Sequence, residues 1–273
     1  MGRRSNVTAS AASTTQTHQA PRRGTEGLLV APGGAIPSFT PESRAATLRP
    51  VKRPKLEAGS PALVLAAWRP ELAAFTAAFR KTRSRPLVVT EVVGVGLVEA
   101  ALGAARAIAA HRPKVVYLVG TAGSLPGSPV ALGDVAVIDQ MTLCEPNLPS
   151  VSELPAPMPT KASCHGPLAR ALCRQAGLPL VDAICPLAIT RAPRRAHVLA
   201  ETGAELETLE AFAVARAARA ARVRFVAVLG VSNRVGPRGR QEWLTHGPAA
   251  VAKACEVVWG HLTRPRRVTS PGR

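Results

Sequence analysis

Aromatic side chains make up only 3% of this 273-residue chain, and acidic residues are half as frequent as basic ones, 17 Asp+Glu against 35 Lys+Arg. No stretch reaches the 18 or more consecutive apolar residues that span a bilayer. Arg3-Arg4 has no apolar run behind it, so neither a secretory nor a twin-arginine signal is supported. Five cysteines, Cys144, Cys164, Cys173, Cys185 and Cys255, form an odd set without a C-x-x-C pair. That usage points to reduced thiols in a cytosolic protein, and a soluble, cytoplasmic chain is expected. A G-x-x-x-x-G-K-[ST] loop is missing, which removes the argument for a nucleoside triphosphate, and no G-x-S-x-G elbow positions a serine nucleophile. Gly94-Val95-Gly96 begins like a dinucleotide fingerprint but has neither the third glycine nor a suitably spaced acid. Cys164-His165 is too small a group for a metal site, and no metal or cofactor is expected.

The net charge of +18 is unevenly placed: residues 1–60 hold nine Lys/Arg against three Glu, and residues 261–273 hold four Arg and no acid. Nucleic-acid binding is the obvious inference from such a balance. Scarce aromatics, the lack of a recognisable motif and the dispersal of basic residues through the middle of the chain argue against it. Residues 1–60, rich in Ser, Thr, Pro, Arg and Gly, bury too little apolar surface to offset the entropy of ordering. They read as a disordered extension or an overlong start, followed by a folded domain at 61–262 and a basic disordered tail at 263–273.

The pattern changes at Pro61. ALVLAA (62–67) is strand-like, and Trp68-Arg69-Pro70-Glu71 leads into LAAFTAAFRK, whose spacing and early Pro suit a helix. PLVVTEVVGVG supplies one or two strands, LVEAALGAARAIAAH a helix, and KVVYLVG from Lys114 a strand that should end in a Gly-rich turn at 120–124. ALGDVAVID gives another strand. Residues 141–162 hold five prolines and no periodicity, a candidate lid. A helix at 167–175, a strand near 187–190 and a short helix at 195–201 follow. The Ala-rich run to Ala221 is opened by Glu205, Glu207 and Glu210, and RFVAVLGVS is a buried strand ending at Ser232-Asn233. A Gly/Pro/Arg loop and a last helix at 249–261 close the domain. Strands alternating with helices at this spacing predict a three-layer α/β/α fold with a central mixed, mostly parallel twisted sheet. In such sheets the ligand lies beyond the carboxyl ends of the strands. Glu71, Gly94–Gly96, Thr121–Gly123, Glu207, Glu210 and Ser232-Asn233 each follow a strand. Singly, each has a bland reading: a helix N-terminal carboxylate, a turn glycine, a solvated acid.

The succession GVGLVEAALGAA, VVYLVGTAGSL, GDVAVID, ELETLEAFAVA and a strand ending in SN resembles the nucleoside phosphorylase and nucleosidase superfamily over roughly residues 61–260. SNRVGPRGRQEW is most similar to the futalosine hydrolases within it. The resemblance implies hydrolysis of the N-glycosidic bond of a purine nucleoside, futalosine above others, giving hypoxanthine in menaquinone biosynthesis. It also implies a homo-oligomer, since relatives commonly dimerise or form larger rings. By the same resemblance Glu71 activates water, Glu210 holds the ribose hydroxyls and Asn233 hydrogen-bonds the departing base, with Ser232 orienting it. Gly96, Thr121, Ala122, Gly123 and Leu209 would line the nucleoside pocket, and Glu207 would support the sugar end. Arg238 and Arg240, in the loop after Asn233, would face the benzoate of futalosine. Leu209 stands where a Met is frequent and Gly239 where an acid is expected. The stacking partner of the base is open between Phe212 and Trp68. The alternatives are a methylthioadenosine/S-adenosylhomocysteine nucleosidase, a phosphate-dependent phosphorylase, and a non-catalytic nucleoside-binding relative that uses the basic tails.

Overall fold

The computed structural model describes residues 59–81, 86–145, 154–155 and 157–264. All of them lie in one unit of the chain, Pro50–Arg273. The expected extension at 1–60 and tail at 263–273 fall almost wholly outside the described residues, as does the middle of the 141–162 segment.

Strand β1 (Ala62–Ala66) is buried at every position, as a continuous apolar run in a sheet covered on both faces should be. It is followed by a 3-10 turn, Arg69–Leu72, and helix α1, Ala73–Lys81. Then come β2 (Val88–Val92), α2 (Leu97–His111), β3 (Val115–Ser124), β4 (Val135–Leu143) and β5 (Lys161–Ser163). Helix α3 (Gly166–Ala176), β6 (Leu180–Cys185), α4 (Pro193–Ala200), β7 (Leu206–Glu207), α5 (Ala211–Ala220), β8 (Arg224–Arg234) and α6 (Gly239–Thr263) complete the order. His165 N-caps α3, its Nδ1 accepting the Leu168 N–H at 3.4 Å, which gives that histidine a structural task.

The eight strands of the described residues run in the order β2-β1-β3-β7-β6-β4-β5, with β8 bonded to both β3 and β4. Pairing is parallel for β1 with β2 and β3, for β3 with β8, for β4 with β6 and for β6 with β7. It is antiparallel for β3 with β7 and for β4 with β5 and β8. The mixed, mostly parallel sheet is therefore as expected. In addition β3, β8, β4, β6 and β7 close on one another into a ring. The principal core cluster runs through it, from Leu63 and Val64 of β1 to Val226 and Val228 of β8.

Three local expectations are corrected. Residues 120–124 are the second half of β3 and not a turn. That half pairs with β8 and, at Gly123 and Ser124, with β7 as well, and Gly123 serves close approach, since a Cβ there would stand 2.8 Å from Val235. Residues 187–190 are not a strand: β6 precedes them and stops before Pro186, leaving Leu187 and Ile189 exposed at 72% and 65%. The last helix begins at Gly239, ten residues earlier than expected, and carries Pro248 inside it. Pro at that position withdraws one backbone donor, which made the sequence look like a helix start.

Candidate active site

Glu71 is the centre of the site. The 3-10 turn places its carboxylate back over the turn's own start, where Oε2 accepts the backbone N–H of Ala67 at 3.1 Å and of Trp68 at 3.4 Å. Oε1 faces β3: the Thr121 hydroxyl donates to it at 3.5 Å and itself accepts the indole N–H of Trp243 at 3.2 Å. Gly120 of β3 lies directly beneath the same oxygen, and a Cβ there would stand 3.5 Å from it, in ordinary contact. Glu71 is 7% exposed. Burial, with the Glu210 carboxylate adding repulsion, pushes its pKa up to about 7 against the backbone hydrogen bonds that lower it. A carboxyl group poised there can exchange a proton at neutral pH, as a general base or acid must.

Glu210 reaches the same region from the N-cap of α5. Its Oε1 accepts the N–H of Gly96 at 2.9 Å, a bond between residues 114 apart in sequence. Gly96 has φ 85°, a backbone state that costs glycine least, and it turns its N–H towards the carboxylate ahead of α2. Burial raises the Glu210 pKa too, opposed by hydrogen bonds from the Gly96 and Leu209 backbone. Leu209 adjoins Glu210 and is half-buried. The dull reading of Glu210 as a solvated helix residue is thereby set aside.

Asn233 lies within the final residues of β8, not past its end. The buried Ser232 hydroxyl donates to Asn233 Oδ1 at 2.9 Å and also lies 3.3 Å from the Ala122 carbonyl. Asn233 Nδ2 donates to the Arg234 carbonyl at 3.1 Å. A Cβ at Gly123 would stand 3.0 Å from Nδ2 and 2.8 Å from a methyl of Val235. Ser232 thus holds the amide oxygen of Asn233 from the strand itself.

Glu207 is the remaining acid of the expected site. It belongs to β7, beneath the segment joining β6 to α4, and its Oε1 accepts the Thr190 N–H at 3.2 Å. Thr190 Oγ1 in turn accepts from Arg195, whose guanidinium pairs with Glu145 at 2.6 and 3.0 Å. Burial raises the Glu207 pKa, offset in part by Thr190 and Arg195.

Arg238 and Arg240 are exposed: Arg238 ends the turn after β8 as the N-cap of α6, and Arg240, expected in the same loop, lies in the first turn of the helix. Sequence reasoning missed Trp243 as a site residue. It and Trp68 pair with ring centroids 5.9 Å apart at 34°, and they wall a recess of about 220 Å³ that opens beside Glu71 and Thr121. Leu244, Gly247, Pro248 and Val251 of α6 line its far side. The signal was available: Trp243, Leu244, Gly247 and Val251 share one helix face by their spacing. Phe212, the other stacking candidate, is buried in α5 with its N–H on the Cys185 sulfur. A larger open groove of about 500 Å³, lined in part by Asp134, Lys253 and Glu256, contains none of these groups.

The relatives and structural neighbours of this chain are nucleosidases, and the class it falls in is that of the N-glycosyl hydrolases. The chain belongs to the phosphorylase superfamily, whose family model matches residues 55–262. It is 30% identical over 176 residues to the futalosine hydrolase of Thermus thermophilus, a match covering 59% of this chain and 76% of that one. Its fold is that of a methylthioadenosine/S-adenosylhomocysteine nucleosidase from Helicobacter pylori solved with butyl-thio-DADMe-Immucillin-A (TM-score 0.68, 14% identity, 75% of this chain and 98% of that one). It is also that of the futalosine hydrolase of Helicobacter pylori (TM-score 0.66, 14% identity, 74% and 96%). Among the described residues no helix is long and apolar enough to cross a membrane.

Proposed function

We propose that this chain hydrolyses a purine nucleoside bearing an aromatic 5′ substituent, with futalosine as the substrate and hypoxanthine as the released base. The observation that carries this reading is the recess walled by Trp68 and Trp243 directly beside the Glu71 carboxylate. An aryl group laid against this indole pair gains burial and ring contact, while the reacting end of the molecule lies at the carboxylates. The similarity to a curated futalosine hydrolase supports the same choice.

In this reading Glu71, ionised, takes a proton from water as the water oxygen bonds to the anomeric carbon. The C–N bond breaks towards the purine, and the negative charge that collects on the ring is met by the Asn233 amide. An amide does not transfer a proton at neutral pH, so it stabilises the ring by hydrogen bonding and the ring takes its proton from solvent. Glu210 accepts hydrogen bonds from the ribose hydroxyls and sits near the cationic sugar, where charge-assisted bonds strengthen as the positive charge develops. Gly96, Thr121, Ala122, Gly123 and Leu209 line the nucleoside pocket. Water as acceptor, in place of phosphate, is supported by the similarity to a futalosine hydrolase and by the Glu71 carboxyl, which is poised to take a proton from water. Arg240 lies one turn before Trp243 and Leu244 on their helix face and is exposed, a position suited to a carboxylate at the outer end of the substituent. Arg238 lies off that face.

Released base is measured for futalosine, methylthioadenosine, inosine and adenosine, each with and without phosphate. Futalosine is expected to be cleaved fastest, with phosphate making no difference and free sugar as the product. A sugar 1-phosphate would overturn hydrolysis, faster cleavage of methylthioadenosine would move the chain to the other nucleosidase type, and no release from any of the four would favour a non-catalytic relative. Trp243→Ala should raise KM about tenfold or more for futalosine and lower the ratio of kcat/KM for futalosine to that for inosine.

A further inference from the structure

Each tryptophan of the recess is tied to a different oxygen of Glu71. Trp68 donates its backbone N–H to Oε2 at 3.4 Å. Trp243 reaches Oε1 through Thr121: its indole N–H donates to Oγ1 at 3.2 Å, and that hydroxyl donates to Oε1 at 3.5 Å. An indole nitrogen can only donate, so it occupies a lone pair of the hydroxyl and leaves the single hydroxyl proton for the carboxylate. A hydroxyl that accepts in this way is itself a stronger donor, and a bond given to a carboxylate favours its ionised form. Gly247, four residues further along α6, leaves the indole its place, since a Cβ there would stand 3.3 Å from Nε1. The other titratable groups near the carboxylate oppose ionisation or stand aside. Glu210 repels it, and the Cys255 thiol of α6 donates to the Glu71 carbonyl at 3.4 Å while burial pushes its pKa up to about 12, so it stays neutral. Strands β1 and β3 bring no charged side chain, Arg80 and Lys81 stand in the last turn of α1, Arg69 and His246 are exposed, and Glu242 accepts the Arg234 N–H at 2.7 Å.

We infer that Trp243 is the positioning residue of Glu71: through the Thr121 hydroxyl, its indole N–H holds the carboxylate fixed and in the proton-accepting state. The side chain therefore serves twice, as a wall for the aryl group and as the second link behind the base. The inference rests on Glu71 acting as base in the proposed hydrolysis and adds the residue that keeps it ready.

The test follows the Glu71 carboxyl carbon of the full chain by carbon-13 NMR between pH 5 and 9, its signal assigned by its loss in Glu71→Gln, so that nothing depends on turnover. Trp243→Phe keeps a ring in the recess and removes the N–H, and the midpoint should rise by about half a pH unit to one unit, the worth of one hydrogen bond. Thr121→Ser should leave the midpoint in place and Thr121→Val should raise it, after which Trp243→Phe should add nothing further. With inosine, which has no aryl group to fill the recess, Trp243→Phe should lower kcat/KM about three- to tenfold at pH 6 and hardly at all at pH 9. In the unsubstituted protein the indole N–H resonance of Trp243 should titrate with the Glu71 midpoint. An indole resonance blind to Glu71 overturns the proposal, and so does a midpoint that Trp243→Phe leaves unmoved, as a role confined to walling the recess requires. An equal shift in the Thr121→Val background also overturns it, because the indole would then act without the hydroxyl. A shifted midpoint with no base released from any nucleoside would instead sink the hydrolase reading and leave the hold of Trp243 on Glu71 standing.

Discussion

Glu71 gathers more of the chemistry than any other side chain, and its titration can be read out directly. With a pKa of about 7 it is half ionised at neutral pH, and a general base acts in the ionised form. The kcat/KM of the free enzyme should therefore rise with pH and level off above about 7, checked by initial rates at subsaturating substrate between pH 5 and 9. Glu71→Gln should lower kcat by about 10²–10⁴-fold and remove that limb. A rate that falls through the same range would make Glu71 an acid. At this scale the sequence was partly legible. An acid following a Pro in a helix's first turn marks Glu71, but dipole stabilisation explains the residue equally well. The proximity of Glu210, and the Thr121–Trp243 chain behind Oε1, arise from residues dozens of positions away, and no local pattern carries them.

Strand β8 and helix α6 act as a pair, since the strand delivers Asn233 and the helix Trp243, with only four residues between them. Their separation is set by Gly230, where a Cβ would fall on the backbone carbonyl of Ala250. Gly230→Ala should destabilise the fold by about 1–3 kcal/mol or more, seen as a lower urea midpoint at unchanged slope. It should also lower activity in the fraction that stays folded, because both site residues ride on that contact. Unchanged midpoint and activity would show that the helix retreats freely. β8 was legible as a buried apolar run, since RFVAVLGVS needs no partner to be recognised as a strand. Pro248 hid the first ten residues of α6, the five-proline stretch hid the end of β4 and the start of β5, and the apolar LAIT misplaced the strand that is β6. In each case a local signal for ending or starting an element was outweighed by packing against the rest of the sheet.

For the molecule as a whole, three carboxyl groups, the buried Glu71 and Glu207 and the half-buried Glu210, all have pKa values raised by desolvation. A carboxyl whose folded pKa lies above its unfolded value favours the folded state fully below the unfolded value, and that contribution is lost as pH rises through the folded one. For Glu71 the window runs from 4.5 to about 7, and the loss amounts to ~3 kcal/mol. Without ligand, the protein should melt several degrees higher at pH 5.5 than at pH 8. Glu71→Gln should shrink that difference and raise the melting temperature at pH 8, both measured by scanning calorimetry. A variant with the same pH dependence as the unsubstituted protein would remove Glu71 from this balance. The cost of holding these carboxylates together is what a stability-optimised core would avoid and a catalytic site requires.

The sequence by itself determined the alternation of strands and helices, the burial of β1, β3 and β8, and the residue types available for the site. These follow from hydrophobic period and length, which act between neighbours along the chain. Tertiary structure alone decided that β3 runs on through its glycines, that five strands close into a ring, and that Gly96 meets Glu210 and Gly123 lies between Glu207 and Asn233. Strand pairing, close backbone approach and desolvation of a carboxylate are interactions between distant segments, and they acquire a magnitude only once the chain has brought those segments into contact.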